Sequence, residues 1–153
     1  MPTPRKKRYP AGQYPQTRYD PSPLVDLGSR SERERLSGAG LRTFFRLMDR
    51  WAIRDQDARE LLGGVSNGPY YEMKRHPKGR ILDAEKLRRI SYLIGIFKAL
   101  HILHAPILAD AWLKLPNQNR IFGGAPPLEY MLKGGTPAMQ TVRRLLDARR
   151  GGL

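Results

Sequence analysis

The stretch at residues 55–75, DQDARELLGGVSNGPYYEMKR, reads as two short helices around a glycine turn. Asp55 and Asp57 put negative charge where a helix N-terminus favours it, and Ala58, Leu61 and Leu62 supply an apolar stripe. Gly63-Gly64 ends that helix and Ser66 is suited to cap the next. Gly68 and Pro69 are tolerated in the first turn of this second helix, because early N–H groups have no partner inside a helix anyway. The second helix is expected to run to about Arg75. Two short helices in this order, the second polar and basic, form the pattern of a helix-turn-helix.

The flanks carry the same all-helical signature. Upstream, Leu41, Phe44, Phe45, Met48 and Trp51 recur at spacings of three and four, predicting a helix over about 41–52. Downstream, Asp83 caps a long helix through Leu87, Ile90, Ile94, Phe97 and Leu100 to about His104. Its second half is apolar nearly all round, as in a helix buried on several sides or shared between subunits. Pro106 breaks that run, and Ile107, Leu108, Ala111, Trp112 and Leu115 make another amphipathic helix that ends before Pro116. A loop through Asn117, Asn119, Gly123 and Gly124 leads to a short helix opened by Pro127 and closed by Gly134-Gly135. Thr136-Pro137 opens the last helix, with Met139, Val142, Leu145 and Leu146 inside and Arg143, Arg144, Arg149 and Arg150 outside. No strand is predicted, so the fold class is all-α. Residues 1–38, with repeated prolines and the cluster Arg5-Lys6-Lys7-Arg8, read as a disordered basic arm. A helix-turn-helix half over 39–104 and a small helical half over 105–153 complete the expected organisation.

Composition narrows the partners. With 28 Lys and Arg against 14 Asp and Glu, the 153-residue chain carries a net charge of +14, a field that attracts polyanions, nucleic acid first among them. The absence of Cys excludes disulfides and thiolate chemistry within the chain. No apolar run approaches the roughly 18 residues of a membrane span, and the cytoplasm is the expected location. His101 and His104 stand three apart on one helix, but neither Cys nor an acidic cluster nearby completes a metal site, so they read as packed residues. No nucleophile and base pair, no paired carboxylates in an apolar setting and no phosphate-cradling glycine motif appears. The expectation is a binding protein without cofactor or metal, not an enzyme.

On the helix-turn-helix, Ser66 and Asn67 are placed to reach base edges or phosphates, and Tyr70 and Tyr71 offer hydroxyls and flat faces. Lys74, Arg75 and Arg80 are placed to neutralise phosphates. One of the two tyrosines is expected in the core. The turn is one residue longer than the commonest form, and Gly68-Pro69 stands where longer polar side chains are often found, which favours backbone contact over base readout.

The C-terminal third carries a more specific pattern: Trp112-Leu113, Pro116-Asn117, Phe122-Gly123-Gly124, Pro127-Leu128-Glu129 and Gly134, then Val142, Leu145, Leu146 and Asp147. Over about 105–150 it resembles the C-terminal toxin-binding domain of the Xre/MbcA/ParS antitoxin family, and residues 41–104 resemble the Xre-like helix-turn-helix half of the same family. The resemblance implies a type II antitoxin whose partner is a RES-domain toxin that consumes NAD, with the antitoxin's C-terminal region covering the toxin's active site. Toxin-contacting residues are then expected among Trp112, Phe122, Leu128 and Tyr130, with the blocking group among Arg144, Asp147, Arg149, Arg150 and the tail Gly151-Gly152-Leu153. Repression of its own operon by a homodimer bound to operator DNA is the companion expectation. The alternatives are a stand-alone helix-turn-helix regulator whose C-terminal helices only dimerise, and a pure protein-interaction module whose helix-turn-helix has lost DNA binding, in keeping with Gly68-Pro69.

Overall fold

The computed structural model describes residues 25–151. Among these, every regular element is helical: α1 (Arg30–Arg50), α2 (Asp55–Leu61), α3 (Asn67–Arg75), α4 (Ala84–Leu103), α5 (Pro106–Ala111) and α6 (Pro127–Arg150), with a single turn of 3₁₀ helix at Trp112–Lys114 after α5. The prolines and basic cluster of residues 1–24, and Gly152 and Leu153 of the tail, lie outside the described residues.

α1 starts well before the predicted residue 41, which corrects the expected boundary of the arm at 38. The extra turns are polar and give no apolar rhythm. They are held by Ser29, whose side chain caps the Glu32 amide, and by the ion pairs Arg30–Glu34 at 3.1 Å and Arg35–Glu32 at 2.7 Å. Ser37, the one buried polar residue among the described residues, donates to the Arg33 carbonyl at 2.5 Å and accepts the Leu82 amide at 2.8 Å. That pair of bonds pins the segment entering α4 onto α1.

α4 is the central element. It packs against α1 on one side and α6 on another, burying Leu87, Ile90, Leu93, Ile96, Ala99 and Leu100, as its apolar circumference predicts. One continuous core runs from Leu41 and Phe44 of α1 through α4 to Met139, Val142 and Leu146 of α6. At the α4/α6 crossing a β-carbon on Gly95 would fall 1.8 Å from Arg143 Nη1, so glycine is what lets the guanidinium lie against α4. Arg143 is therefore not an outward-facing residue: it donates to Asp147 at 3.1 Å and to the Ser91 carbonyl at 3.3 Å.

Two further expectations change. α5 leaves Ile107, Leu108 and Leu115 exposed, and the buried members of this segment are Ala109, Trp112 and Leu113. The switch to 3₁₀ geometry after Ala111 rotates the later side chains off the stripe that a continuous helix would form. The predicted break at Gly134-Gly135 is present as a kink within α6, where Gly135 sits at φ 65°, ψ −146°. Thr136 sends its hydroxyl across to Glu85 of α4 rather than capping the helix that follows.

Candidate functional site

The helix-turn-helix is assembled around Asp55. This carboxylate accepts from the Tyr70 hydroxyl at 2.7 Å, the Tyr71 hydroxyl at 3.0 Å and Lys74 Nζ at 3.0 Å, so the first turn of α2 holds three residues of α3. Tyr70 is fully buried, edge-on to Phe45 at 5.6 Å, which removes it from the expected DNA face and makes it the core tyrosine of the pair. Burial and the adjacent carboxylate push its hydroxyl well above the ordinary tyrosine range. Tyr71 stays exposed. Ser66 occupies the N-cap position without a side-chain capping bond, and it and Asn67 are exposed at the start of α3.

The cations of this face are tethered. Lys74 is on Asp55, Arg75 is paired with Glu72, and Arg80 donates to the His76 carbonyl at 2.7 Å with Glu72 at 3.8 Å. Such surface pairs are weak, so a phosphate can replace the carboxylate at little cost. The hydrogen bond from Tyr70, reinforced by Lys74 and Tyr71, holds the Asp55 carboxyl below the usual carboxylate range. A depressed carboxyl stabilises the fold above its unfolded pKa and loses that contribution as pH falls through the folded value. Asp55→Asn is therefore expected to lower the urea midpoint at pH 7 and to have a much smaller effect near pH 3; equal effects at both pH values would rule out this ionic role.

The C-terminal candidates divide by position. Trp112, Phe122 and Leu128 are buried, and Trp112, Phe122 and Tyr130 form an edge-to-face series with centroid separations of 6.0 and 5.4 Å. Their role is to pack the Phe122-Gly123-Gly124 turn onto the start of α6; of the four, only the half-buried Tyr130 retains access to solvent beyond a few per cent. Arg144, Arg149 and Arg150 are exposed on α6, and Asp147 is half-buried beside Arg143.

Sequence reasoning missed an apolar corner. Ile102 at the end of α4 is 59% exposed and Ile107 at the start of α5 is 89% exposed, with Leu108 following them. Beneath this corner Asp110 joins the helices, accepting from Arg50 of α1 at 3.1 Å and lying 2.9 Å from His101 Nε2. The His101 ring lies tilted against Phe97, with the ring centroids 4.3 Å apart. Burial pushes the Asp110 carboxyl up, but the bonds from Arg50 and His101 outweigh it and hold the group lowered overall. His101 thus serves packing and pairing, and no group of three or more His, Asp or Glu that could hold a metal ion occurs among the described residues.

Also missed was Arg89 on α4. Its guanidinium pairs with Glu85 at 3.0 Å, donates to the Glu60 and Leu61 carbonyls at the end of α2 at 3.4 Å, and packs beneath the Gly135 kink of α6. It joins the helix-turn-helix to the C-terminal half. No helix among the described residues is long and apolar enough to cross a membrane.

Residues 101–152 match the family model for the antitoxin Xre/MbcA/ParS C-terminal toxin-binding domain. This stretch holds the apolar corner, the aromatic series and the α6 arginines. The chain is also 38% identical over 115 residues to the uncharacterized protein y4oB of Sinorhizobium fredii (strain NBRC 101917 / NGR234), covering 74% of this chain and 86% of that protein. No solved structure matches it. The protein belongs to the Xre/MbcA/ParS antitoxin family, with its toxin-binding domain in the C-terminal third.

Proposed function

We propose that this antitoxin neutralises a RES-domain, NAD-degrading toxin by laying the end of α6 over the toxin's active site, and that it represses its own operon as a homodimer in the cytoplasm. The observation that carries the reading is the concentration of exposed apolar and cationic groups within the toxin-binding domain. Ile102, Ile107 and Leu108 supply the desolvated centre that a stable protein interface needs, and Arg144, Arg149 and Arg150 supply donors that can fork onto carboxylates or fill the space of a nucleotide phosphate. Trp112, Phe122 and Leu128 act from within, fixing the shape of that surface.

DNA binding is supported by the exposed Ser66, Asn67 and Tyr71 and by Lys74, Arg75 and Arg80, whose tethers are weak enough to exchange for phosphates. In a homodimer the two α3 helices would meet major-groove faces about 34 Å apart.

The test is co-purification of the tagged chain with the product of its adjacent gene, followed by an NAD-consumption assay with and without the antitoxin. Binding with suppressed NAD loss supports the proposal. Binding without NAD loss by the free partner removes the RES assignment and leaves the antitoxin role. A neighbour that does not bind favours a stand-alone regulator.

A further inference from the structure

The α1 surface and the loop between α3 and α4 enclose an open groove of roughly 420 Å³ whose charged lining is Arg35, Arg42, Lys78 and Arg80 against the single carboxylate of Glu34. Glu34 is already engaged by Arg30 at 3.1 Å. Arg42 and Lys78 have neither an ion pair nor a side-chain hydrogen bond among the described residues. The groove is built by the fold: Ser37 fastens Leu82 to α1, Gly79 turns the loop at φ +78°, and Gly38 leaves a bare floor over which the Arg42 guanidinium lies.

The lining also says what the groove suits. It is open to solvent and has no aromatic ring on which a base could stack, so it does not enclose a nucleotide. Extended negative charge suits this lining, because Arg42 and Lys78 are joined there by Arg35, on Glu32 at 2.7 Å, and Arg80, near Glu72 at 3.8 Å, both held by exposed ion pairs that a phosphate can replace. The channel is joined to α3 through Glu72, which contacts both Arg75 in the last turn of α3 and Arg80 in the groove wall. Positive groups therefore run from α3 along the loop to α1.

We propose that this groove is a second phosphate track, occupied by the duplex DNA backbone flanking the segment that α3 meets. The inference rests on the DNA-binding reading above and adds a site to it. Phosphate contacts carry no sequence information, so a labelled duplex of mixed sequence, about 40 bp long, serves as probe, titrated by fluorescence anisotropy over a series of KCl concentrations. Arg42→Ala with Lys78→Ala is expected to lower the slope of log K against log salt by about 1.8, at about 0.9 for each phosphate no longer neutralised. Ala39→Glu, on the groove wall, removes no cation and suits a helix; it is expected to weaken binding several-fold by repulsion. Lys74→Ala with Arg75→Ala is the reference for the α3 face. If the reference variant loses affinity while both groove variants bind like the parent, the second track is overturned and DNA binding by α3 stands. If the parent itself fails to bind the duplex, the track and the DNA reading fall together. Groove variants that keep DNA affinity but lose the co-purifying partner would reassign the groove to an acidic protein surface, which also overturns the proposal.

Discussion

Cells that express the cognate toxin together with an antitoxin ending at Leu146 are expected to stop growing, whereas cells with the full chain continue. The deletion removes Asp147, Arg149 and Arg150 and spares Met139, Val142 and Leu146, which hold α6 to the core. Fully paired charged anchors at protein interfaces cost about 2–5 kcal/mol each when removed. At about 1.4 kcal/mol per tenfold, losing even one weakens the complex by about 30-fold or more. The shortened chain should keep the far-ultraviolet circular dichroism of the parent and bind the duplex probe with unchanged salt dependence, since the α3 surface is intact. Normal growth with the shortened chain at equal expression would remove the blocking role from the end of α6 and move it to the Ile102–Ile107 corner.

The second large effect is expected at Arg89, and it is on stability. Its side chain is 15% exposed, so the bonds it makes are only partly screened. Arg89→Met preserves length and apolar stem but leaves the Glu60 and Leu61 carbonyls at the end of α2 without this donor and Glu85 without its i+4 partner. Hydrogen bonds to charged groups contribute about 1.5–3 kcal/mol, and the total loss is expected to be about 2–4 kcal/mol. For a chain of this size that corresponds to a fall in Tm of about 5–15 °C. Arg89→Lys should recover only part of it, because a compact ammonium cannot reach two carbonyls and a carboxylate as a planar guanidinium does. Thermal unfolding followed by circular dichroism decides the matter: a shift below about 1 °C for the methionine variant would show that Arg89 is dispensable to the junction.

Arg89 also illustrates where reading from sequence stops. A charged residue on a helix with a carboxylate four positions away belongs, by pattern alone, to a solvated face; only the arrival of α2 and of the Gly135 kink makes it a strut. The elements that were legible carry their signals locally. Asp83 caps α4 by accepting the Lys86 amide, Pro106 marks the break between α4 and α5, Pro127 sits in the first turn of α6, and Ser66 and Gly63-Gly64 bracket the turn of the helix-turn-helix. The start of α1 was not legible, because ion pairs and a serine cap hold its first turns without apolar rhythm. At the candidate site the exposed arginines of α6 and the basic residues around α3 lie on the surface as expected, whereas Tyr70, Trp112, Phe122 and Leu128 do not. Large aromatic and aliphatic residues in a short motif mark a packed turn as readily as a contact surface. The opposite error occurred at Ile107, where apolar spacing suggests burial but α5 turns Ala109 inward and leaves Ile107 exposed.

Because α4 closes the core on both its sides, the two halves of this antitoxin share one hydrophobic interior. A change that disturbs this interior from either half is therefore felt by the other. A chimaera joined near residue 104 would separate α4 from the α6 surface packed against it, and is expected to melt below either parent unless the new α6 side chains match α4. Substitutions on the exposed corner and at the end of α6, by contrast, leave that shared interior untouched.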